Sequence, residues 1–128
     1  MLPTVNFTET DAYKYLADHF ISINEKDLKQ LFKEDEGRFE KFSLIFEDIL
    51  FDYSKNRIDD TTIALLIQLA RECKLDEAIK AMFSGDKINQ TEGRQVLHVA
   101  LREPANGEIL VDGKNVVEDV HQVLAKME

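Results

Sequence analysis

Between Thr10 and Phe42 the apolar side chains recur three or four residues apart, which is the spacing of one helix face. The first predicted helix begins after Thr8 or Thr10, because a threonine hydroxyl can accept a hydrogen bond from the free amides of the first turn. Its apolar positions are Tyr13, Leu16, Ala17 and Phe20. A short second helix is predicted after Asp27, and Arg38 to Phe42 is predicted to form one further turn.

The hydrophobic period changes from helical to twofold between Phe42 and Tyr53. Alternating apolar residues with many aromatic side chains are typical of strands. The pattern therefore predicts two antiparallel strands joined by a tight turn near Asp48. One long, bent strand is the alternative, because no glycine occupies the predicted turn.

Helical spacing returns after Asp59 and Asp60, either of which can cap a third helix. The apolar stripe of this third helix is Ile63, Leu66, Ile67, Ala70 and Cys73. A fourth helix is predicted from Leu75 to Phe83, with Gly85 placed to end it, and residues 88–92 read as a polar loop.

The last third of the chain predicts two more helices and a second hairpin. A helix is expected from Gly93 to Arg102, ending before Pro104. The Asp112-Gly113 pair is a strong turn signal for a hairpin over residues 109–117. The final helix places Val116, Val120, Val123, Leu124 and Met127 on one face.

The predicted fold class is accordingly mainly α with short β-hairpins. The final amphipathic helix continues to Glu128 without a residue that would end it. We therefore expect the chain to be cut from a longer one, although a natural C-terminal helix can show the same pattern.

Composition narrows the classes of function. The chain carries 25 acidic and 16 basic residues, a formal net charge of −9, and this disfavours nucleic-acid binding, which needs a basic face. Its one cysteine, Cys73, cannot form an internal disulfide, so the reducing cytoplasm is the expected location. No apolar run is long enough for a membrane span, and Met1 to Thr10 does not resemble a signal peptide.

Candidate chemistry is sparse. The five glycines are isolated, so no glycine-rich phosphate loop is predicted, and the three histidines lack metal-ligand spacing. If residues 93–102 are helical, Arg94, His98 and Arg102 form a cationic row at four-residue spacing. Such a row could bind an anion such as a phosphate. The alternative is that it pairs with carboxylates of this acidic chain, or with a missing domain.

Three blocks of the sequence resemble glucose-6-phosphate isomerases. The segment Phe51-Asp-Tyr-Ser-Lys-Asn-Arg-Ile58 is similar to the family segment V-D-Y-S-K-N-R-I. The run from Met82 to Arg102 is similar to M-F-x-G-x-K-I-N-x-T-E-x-R-x-V-L-H-x-A-L-R, and Ile109-Leu-Val-Asp-Gly-Lys114 matches I-L-V-D-G-K. The three blocks occur in the family's order.

The resemblance implies a parent enzyme of glycolysis and gluconeogenesis. It would interconvert glucose 6-phosphate and fructose 6-phosphate through an enediol intermediate, without metal or organic cofactor, as a homodimer. The resemblance also implies that residues 1–128 are an N-terminal, largely helical segment that wraps the α/β sugar-isomerase (SIS) domains. The family's G-I-G-G-S and S-K-T loops and its catalytic Glu, His and Lys regions have no counterpart here.

Three hypotheses about function follow from the sequence. In the first, the chain is an isomerase fragment with no catalytic residue in its span and no activity alone; its partners would be the remainder of the isomerase chain and a second subunit. In the second, the chain is a helical protein-interaction module. In the third, it is a phosphate-binding domain that uses Arg94, His98 and Arg102.

Overall fold

The computed structural model describes residues 4–127, which divide into two compact units. The N-terminal unit is Asn6–Glu72, and the C-terminal unit is residues 73–127 together with Thr4 and Val5. Within the described residues, six α-helices and two small antiparallel hairpins form the structure, which confirms the predicted fold class. No helix among these residues combines the length and apolar character needed to cross a bilayer.

The N-terminal unit begins with a 3-10 helix, Phe7–Glu9, followed by α1, Asp11–Ile23. Thr10 is the N-cap of α1, and its hydroxyl accepts a hydrogen bond from the Tyr13 amide at 3.2 Å. Helices α2, Leu28–Glu34, and α3, Arg38–Lys41, follow. The predicted cap of α2 is confirmed, because the Asp27 side chain accepts from the Lys29 amide.

The first hairpin consists of β1, Ser43–Phe46, and β2, Ile49–Asp52. Its register pairs Leu44 with Phe51 and Phe46 with Ile49, so the predicted strand pair is confirmed and the single bent strand is wrong. Glu47 takes a left-handed φ of 52° in the turn, a conformation in which glycine would be more usual. The hairpin forms although its turn lacks glycine.

Helix α4, Asp60–Glu72, packs against α1 and completes the N-terminal unit. Asp59 is its capping residue, since the Asp59 carboxylate accepts from the Thr62 amide at 2.9 Å. The Thr62 hydroxyl in turn accepts from the Asp59 amide at 3.2 Å. Two free amides at the start of α4 are thus bonded reciprocally, as in a capping box.

The C-terminal unit contains α5, Leu75–Phe83, then β3, Leu110–Val111, β4, Lys114–Asn115, and α6, Val117–Leu124. Gly85 has a φ of 77° just after α5, as its predicted role in ending that helix requires. The core of this unit is small. It consists of Ala100, Ile109 and Val117, with Leu97, Val99, Val116 and Val120 packed around them.

The helix predicted from Gly93 to Arg102 is absent, and this prediction was wrong. Gly93 has a φ of 64°, and the Arg94 amide and carbonyl bond to Asn89 in an isolated bridge instead of a helical ladder. Residues 98–102 form turns, with hydrogen bonds from Ala100 to Leu97 and from Arg102 to Val99. The backbone groups that a helix would need are therefore bonded elsewhere.

The final helix is confirmed, but its apolar face is only partly covered. Val117 is fully buried, and Val116 and Val120 pack on the same core. Val123, Leu124 and Met127 are exposed. Glu128, to which the prediction carried this helix, lies outside the described residues.

Candidate functional site

The predicted cationic row of Arg94, His98 and Arg102 loses its geometric basis, because no helix aligns its members. The Arg94 guanidinium forms an ion pair with Glu92 at 2.9 Å, and its side chain is largely exposed. The Arg102 guanidinium donates to the His98 carbonyl at 3.2 Å, and both residues are exposed. These contacts are local pairings on the surface. Anion binding by the three residues stays a prediction.

A polar cleft of about 470 Å³ lies beside the end of α5. Its lining residues are Ser84, Gly85, Asp86, Lys87, Gln95, Leu110 and Asp112. Lys87 forms an ion pair with Asp112 at 3.2 Å, which leaves Asp86 as an excess negative charge. A cleft with two carboxylates and one ammonium group disfavours a phosphate. Sequence spacing did not reveal this cleft, because its residues come from three separate segments.

One close backbone approach shapes this cleft. A Cβ atom at Gly85 would lie 2.7 Å from the Leu110 carbonyl oxygen, well inside van der Waals contact. The positive φ of Gly85 also favours glycine. Position 85 therefore requires glycine for two independent reasons, and the sequence suggested only the second.

His19, Asp59 and Thr62 form the one histidine–carboxylate–hydroxyl cluster that the hydrogen bonds of residues 4–127 reveal. His19 Nε2 lies 2.8 Å from the Thr62 hydroxyl and 3.1 Å from the Asp59 carboxylate. Burial raises the pKa of Asp59, but the hydrogen bonds from Thr62 and the nearby His19 outweigh it and leave that pKa lowered.

This cluster does not have the geometry of a catalytic triad. A triad uses one imidazole nitrogen for the nucleophile and the other for the carboxylate. Here both the Thr62 hydroxyl and the Asp59 carboxylate contact the same nitrogen, Nε2. The arrangement instead ties α1 to the capping residues of α4. His19 and Asp59 are 40 positions apart, so no local pattern in the sequence could have paired them.

Arg38 is the second polar centre that the sequence did not reveal. Its side chain is 2% exposed, and its guanidinium donates to the carbonyls of Ser54, Asn56 and Ile58 at 2.7 to 3.0 Å. The same guanidinium lies over the rings of Phe32 and Phe42. The carbonyl dipoles and ring faces stabilise the buried charge. Arg38 therefore holds residues 54–58 in place.

Asp52 organises the start of the same segment. Its carboxylate accepts from Lys55 at 2.5 Å and from the Ser54 amide and hydroxyl at 2.9 and 2.6 Å. These hydrogen bonds, with the one from Lys55 foremost, lower the pKa of Asp52 to about 2. The Asp52 carboxylate thus accepts hydrogen bonds within a turn, and its role is structural.

An apolar groove of about 440 Å³ runs along α6. Its lining residues are Leu101, Asp119, Val120, Val123, Leu124 and Met127. The groove contains almost no polar surface, so it offers contact area to an apolar ligand or helix and no group for chemistry. The sequence anticipated the α6 face but not Leu101, which was placed on the absent helix.

Among residues 4–127, no group of three histidine, cysteine, aspartate or glutamate side chains is arranged to hold a metal ion. A family model described as phosphoglucose isomerase matches residues 52–128, which is more than half of the chain. The match starts within β2 and includes the segment held by Arg38, the polar cleft and α6.

Proposed function

The chain belongs to the phosphoglucose isomerase family, and on that premise we propose that it is the N-terminal part of a glucose-6-phosphate isomerase. The parent enzyme would interconvert glucose 6-phosphate and fructose 6-phosphate through an enediol intermediate. Within that enzyme, residues 1–128 would act as scaffold and contribute no catalytic group. The chain alone would therefore be inactive.

One observation supports the scaffold role: charged side chains in the region that matches the family already form hydrogen bonds or ion pairs within this chain. Asp52 and Asp59 accept hydrogen bonds at a turn and a helix cap, and Arg94 and Arg102 bond to residues near them in sequence. Aldose–ketose isomerisation needs acid–base groups positioned around one substrate carbon pair. The polar cleft beside α5 holds two carboxylates and one lysine, but Lys87 pairs with Asp112, and the excess negative charge disfavours a sugar phosphate.

A coupled assay tests this proposal directly. Conversion of fructose 6-phosphate to glucose 6-phosphate would be followed with an NADP-linked dehydrogenase. It would be measured for the 128-residue chain and for the same chain extended at its C-terminus with the remainder of a family member. We expect turnover only from the extended chain. Turnover by the 128-residue chain would contradict the proposal.

A matched pair of variants sharpens the assay. In the extended chain, we expect Arg94→Ala and Arg102→Ala to keep kcat and KM within about threefold, since both side chains are exposed and locally paired. A loss of kcat with either variant would assign a catalytic role to the predicted cationic row.

Binding of glucose 6-phosphate to the 128-residue chain, measured by calorimetry, tests the phosphate-binding alternative, and no saturable binding would exclude it.

The apolar groove along α6 favours the second candidate function, a protein-interaction module. An amphipathic helix could dock there through side chains at helical spacing. Val123 lines this groove and is 55% exposed. Binding of a hydrophobic fluorescent dye such as anilinonaphthalene sulfonate would report the groove. We expect Val123→Asp to reduce that signal while Gln122→Asp leaves it unchanged.

A further inference from the structure

Asn106 differs from the other asparagines of this chain because glycine follows it. The other five precede residues with larger side chains; they are Asn6, Asn24, Asn56, Asn89 and Asn115. The backbone nitrogen of the next residue can attack the side-chain amide carbon of an asparagine and close a five-membered ring. Because both groups belong to one chain, this attack is unimolecular. A following glycine hinders it least, since glycine has no side chain and adopts the widest range of backbone angles.

The hydrogen bonds distinguish Asn106 in a second way. Within residues 4–127, the side chain of each of the other five asparagines forms at least one hydrogen bond. Asn56, for example, donates to the Tyr53 carbonyl at 3.1 Å. The Asn106 side chain forms none within the same part of the chain, and the residue is exposed. Its amide group is therefore free to rotate toward the Gly107 nitrogen.

One hydrogen bond restrains the attacking atom. The Gly107 amide donates to the Pro104 carbonyl at 2.8 Å, which closes a turn through Asn106. This bond must break before the Gly107 nitrogen attacks. Pro104 and Asn106 are both exposed, so water can replace the lost partner, and the attack slows by about tenfold or less. The turn therefore delays ring closure without preventing it.

We propose that Asn106 is a site of spontaneous deamidation, and that its isoaspartate product breaks the hydrogen bond between Gly107 and Asn115. The deprotonated Gly107 nitrogen bonds to the Asn106 side-chain carbon, and the bond from that carbon to the amide nitrogen breaks. Ammonia leaves, taking up through solvent the proton that Gly107 lost. Water then opens the cyclic imide at either carbonyl, which gives aspartate or isoaspartate at position 106. In sum, an amide and water become a carboxylic acid and ammonia.

The isoaspartate product reaches the core of the C-terminal unit through one side chain. Its extra backbone methylene lies directly before Gly107, whose carbonyl accepts from the Asn115 side chain at 3.2 Å. The same side chain accepts from the amides of Ile109 and Val117, two of the three buried core residues. The aspartate product adds only a surface charge. This proposal goes beyond the isomerase assignment and does not depend on it.

Peptide mass spectrometry of the 128-residue chain, aged in mildly alkaline buffer, tests the modification. Electron-transfer fragmentation distinguishes aspartate from isoaspartate. We expect both products at position 106, formed at least about tenfold faster than at the other asparagines, each of which must first break a side-chain hydrogen bond. The reaction should slow in mildly acidic buffer, because the attacking nitrogen must lose its proton. Asn106→Gln is the matched control and should stay unmodified, since a glutamine must close a less favourable six-membered ring.

Hydrogen exchange at the Ile109 and Val117 amides tests the structural consequence. We expect the aged chain to lose protection at both amides, and Asn106→Gln aged in the same way to keep it. Asn106→Asp carries the charge without the extra methylene, so its exchange rates should stay within about threefold of those of the fresh chain. Far-UV circular dichroism would confirm that both variants are folded.

Three results would overturn the proposal. The first is a folded chain that stays unmodified at position 106. The second is conversion of the other asparagines at the same rate. The third is equal loss of protection in the aged chain and in fresh Asn106→Asp, which would assign the effect to charge and not to the inserted methylene.

Discussion

The two units of the molecule are held together by different kinds of interaction. In the N-terminal unit, polar groups join segments that are far apart in sequence. Glu72 at the end of α4 accepts from the Ala12 amide at the start of α1, at 3.0 Å, and His19 bonds to the cap at the other end of α4. Helices α1 and α4 are thus tied at both ends, and Arg38 fixes the segment between β2 and α4.

In the C-terminal unit the contacts join segments closer in sequence. The Asn115 side chain accepts from the amides of Ile109 and Val117 and donates to the Gly107 carbonyl. His121 Nε2 donates to the Glu103 carbonyl at 2.9 Å. These bonds surround a small apolar core and hold the irregular segment 95–107 in place of the absent helix.

The comparison teaches that the two units should respond differently to substitution. A buried polar side chain that joins two segments forms its hydrogen bonds in one geometry. Its loss leaves buried hydrogen-bonding groups without partners and lowers the free energy of unfolding substantially. The stability of the C-terminal unit, with its small core and local turns, depends instead on backbone conformation and on close contacts between backbone segments.

The three tyrosines, at positions 13, 15 and 53, all lie in the N-terminal unit, so tyrosine fluorescence reports the unfolding of that unit alone.

The largest effect is expected from Arg38→Met. Methionine can fill the space between the two phenylalanine rings, but it leaves three carbonyls without their donor. We expect the free energy of unfolding of the N-terminal unit to fall by about 3 kcal/mol or more, measured by urea denaturation with tyrosine fluorescence. Arg57→Met is the control, because Arg57 is exposed, and it should cost less than about 1 kcal/mol. Equal effects would show that burial of Arg38 is unimportant.

Gly85→Ala should give the largest backbone effect in the C-terminal unit. The new Cβ would meet the Leu110 carbonyl and the residue would keep a positive φ, which together should cost about 2 to 3 kcal/mol. Gly93→Ala is the control, since Gly93 has a positive φ but open space around it, and about 1 kcal/mol is expected. Amide hydrogen exchange of β3 and α6 would measure both. Similar losses of protection would mean that the close approach contributes nothing.

Thr10→Ala should destabilise the N-terminal unit by about 1 kcal/mol, because the Tyr13 amide loses its acceptor. Thr8→Ala should cost less than about 0.5 kcal/mol, since the Thr8 hydroxyl donates only to the exposed Asn6 side chain. Urea denaturation followed by tyrosine fluorescence compares the two. The reverse order would place the start of α1 at Thr8.

The smallest effect concerns the Asp59 carboxylate. Its pKa is lowered in the folded protein, so the ionised form contributes stability that is complete above the unfolded pKa of about 3.9 and is lost as pH falls through the folded value. The pH-dependent part should be below about 1 kcal/mol, because the Asp59 side chain is still 33% exposed and solvent screens its interactions. We expect the stability difference between the wild type and Asp59→Asn to shrink between about pH 5 and pH 3. A difference that grows over this range would contradict the assignment.

Much of the fold follows from local pattern. The cap Asp27, a cap for α4 at Asp59 or Asp60, the two hairpins and helices α1, α2, α4, α5 and α6 were all predicted from spacing and turn chemistry. These features depend on interactions within a few residues, so the sequence alone contains the information. The resemblance to glucose-6-phosphate isomerases in three sequence blocks likewise agrees with the family match over residues 52–128.

The segment 93–102 shows where local pattern is insufficient. Its apolar spacing suits a helix, but the Asn89–Arg94 bridge and the packing of Ala100 against Ile109 and Val117 determine its path. The predicted anion row depended entirely on that helix. A tertiary contact therefore changed both the local structure and the candidate site derived from it.

The sequence by itself determined most of the element types, most of their ends and the family of this protein, because these are encoded by periodicity, capping residues and contiguous motifs. Only the tertiary structure decided that Arg38 is buried, that His19 bonds to Asp59, and that Leu101 shares a groove with α6. Each of these contacts joins residues about 16 to 40 positions apart. Side chains that far apart meet only after the chain has folded, and no short-range rule specifies which of the many possible pairs will form.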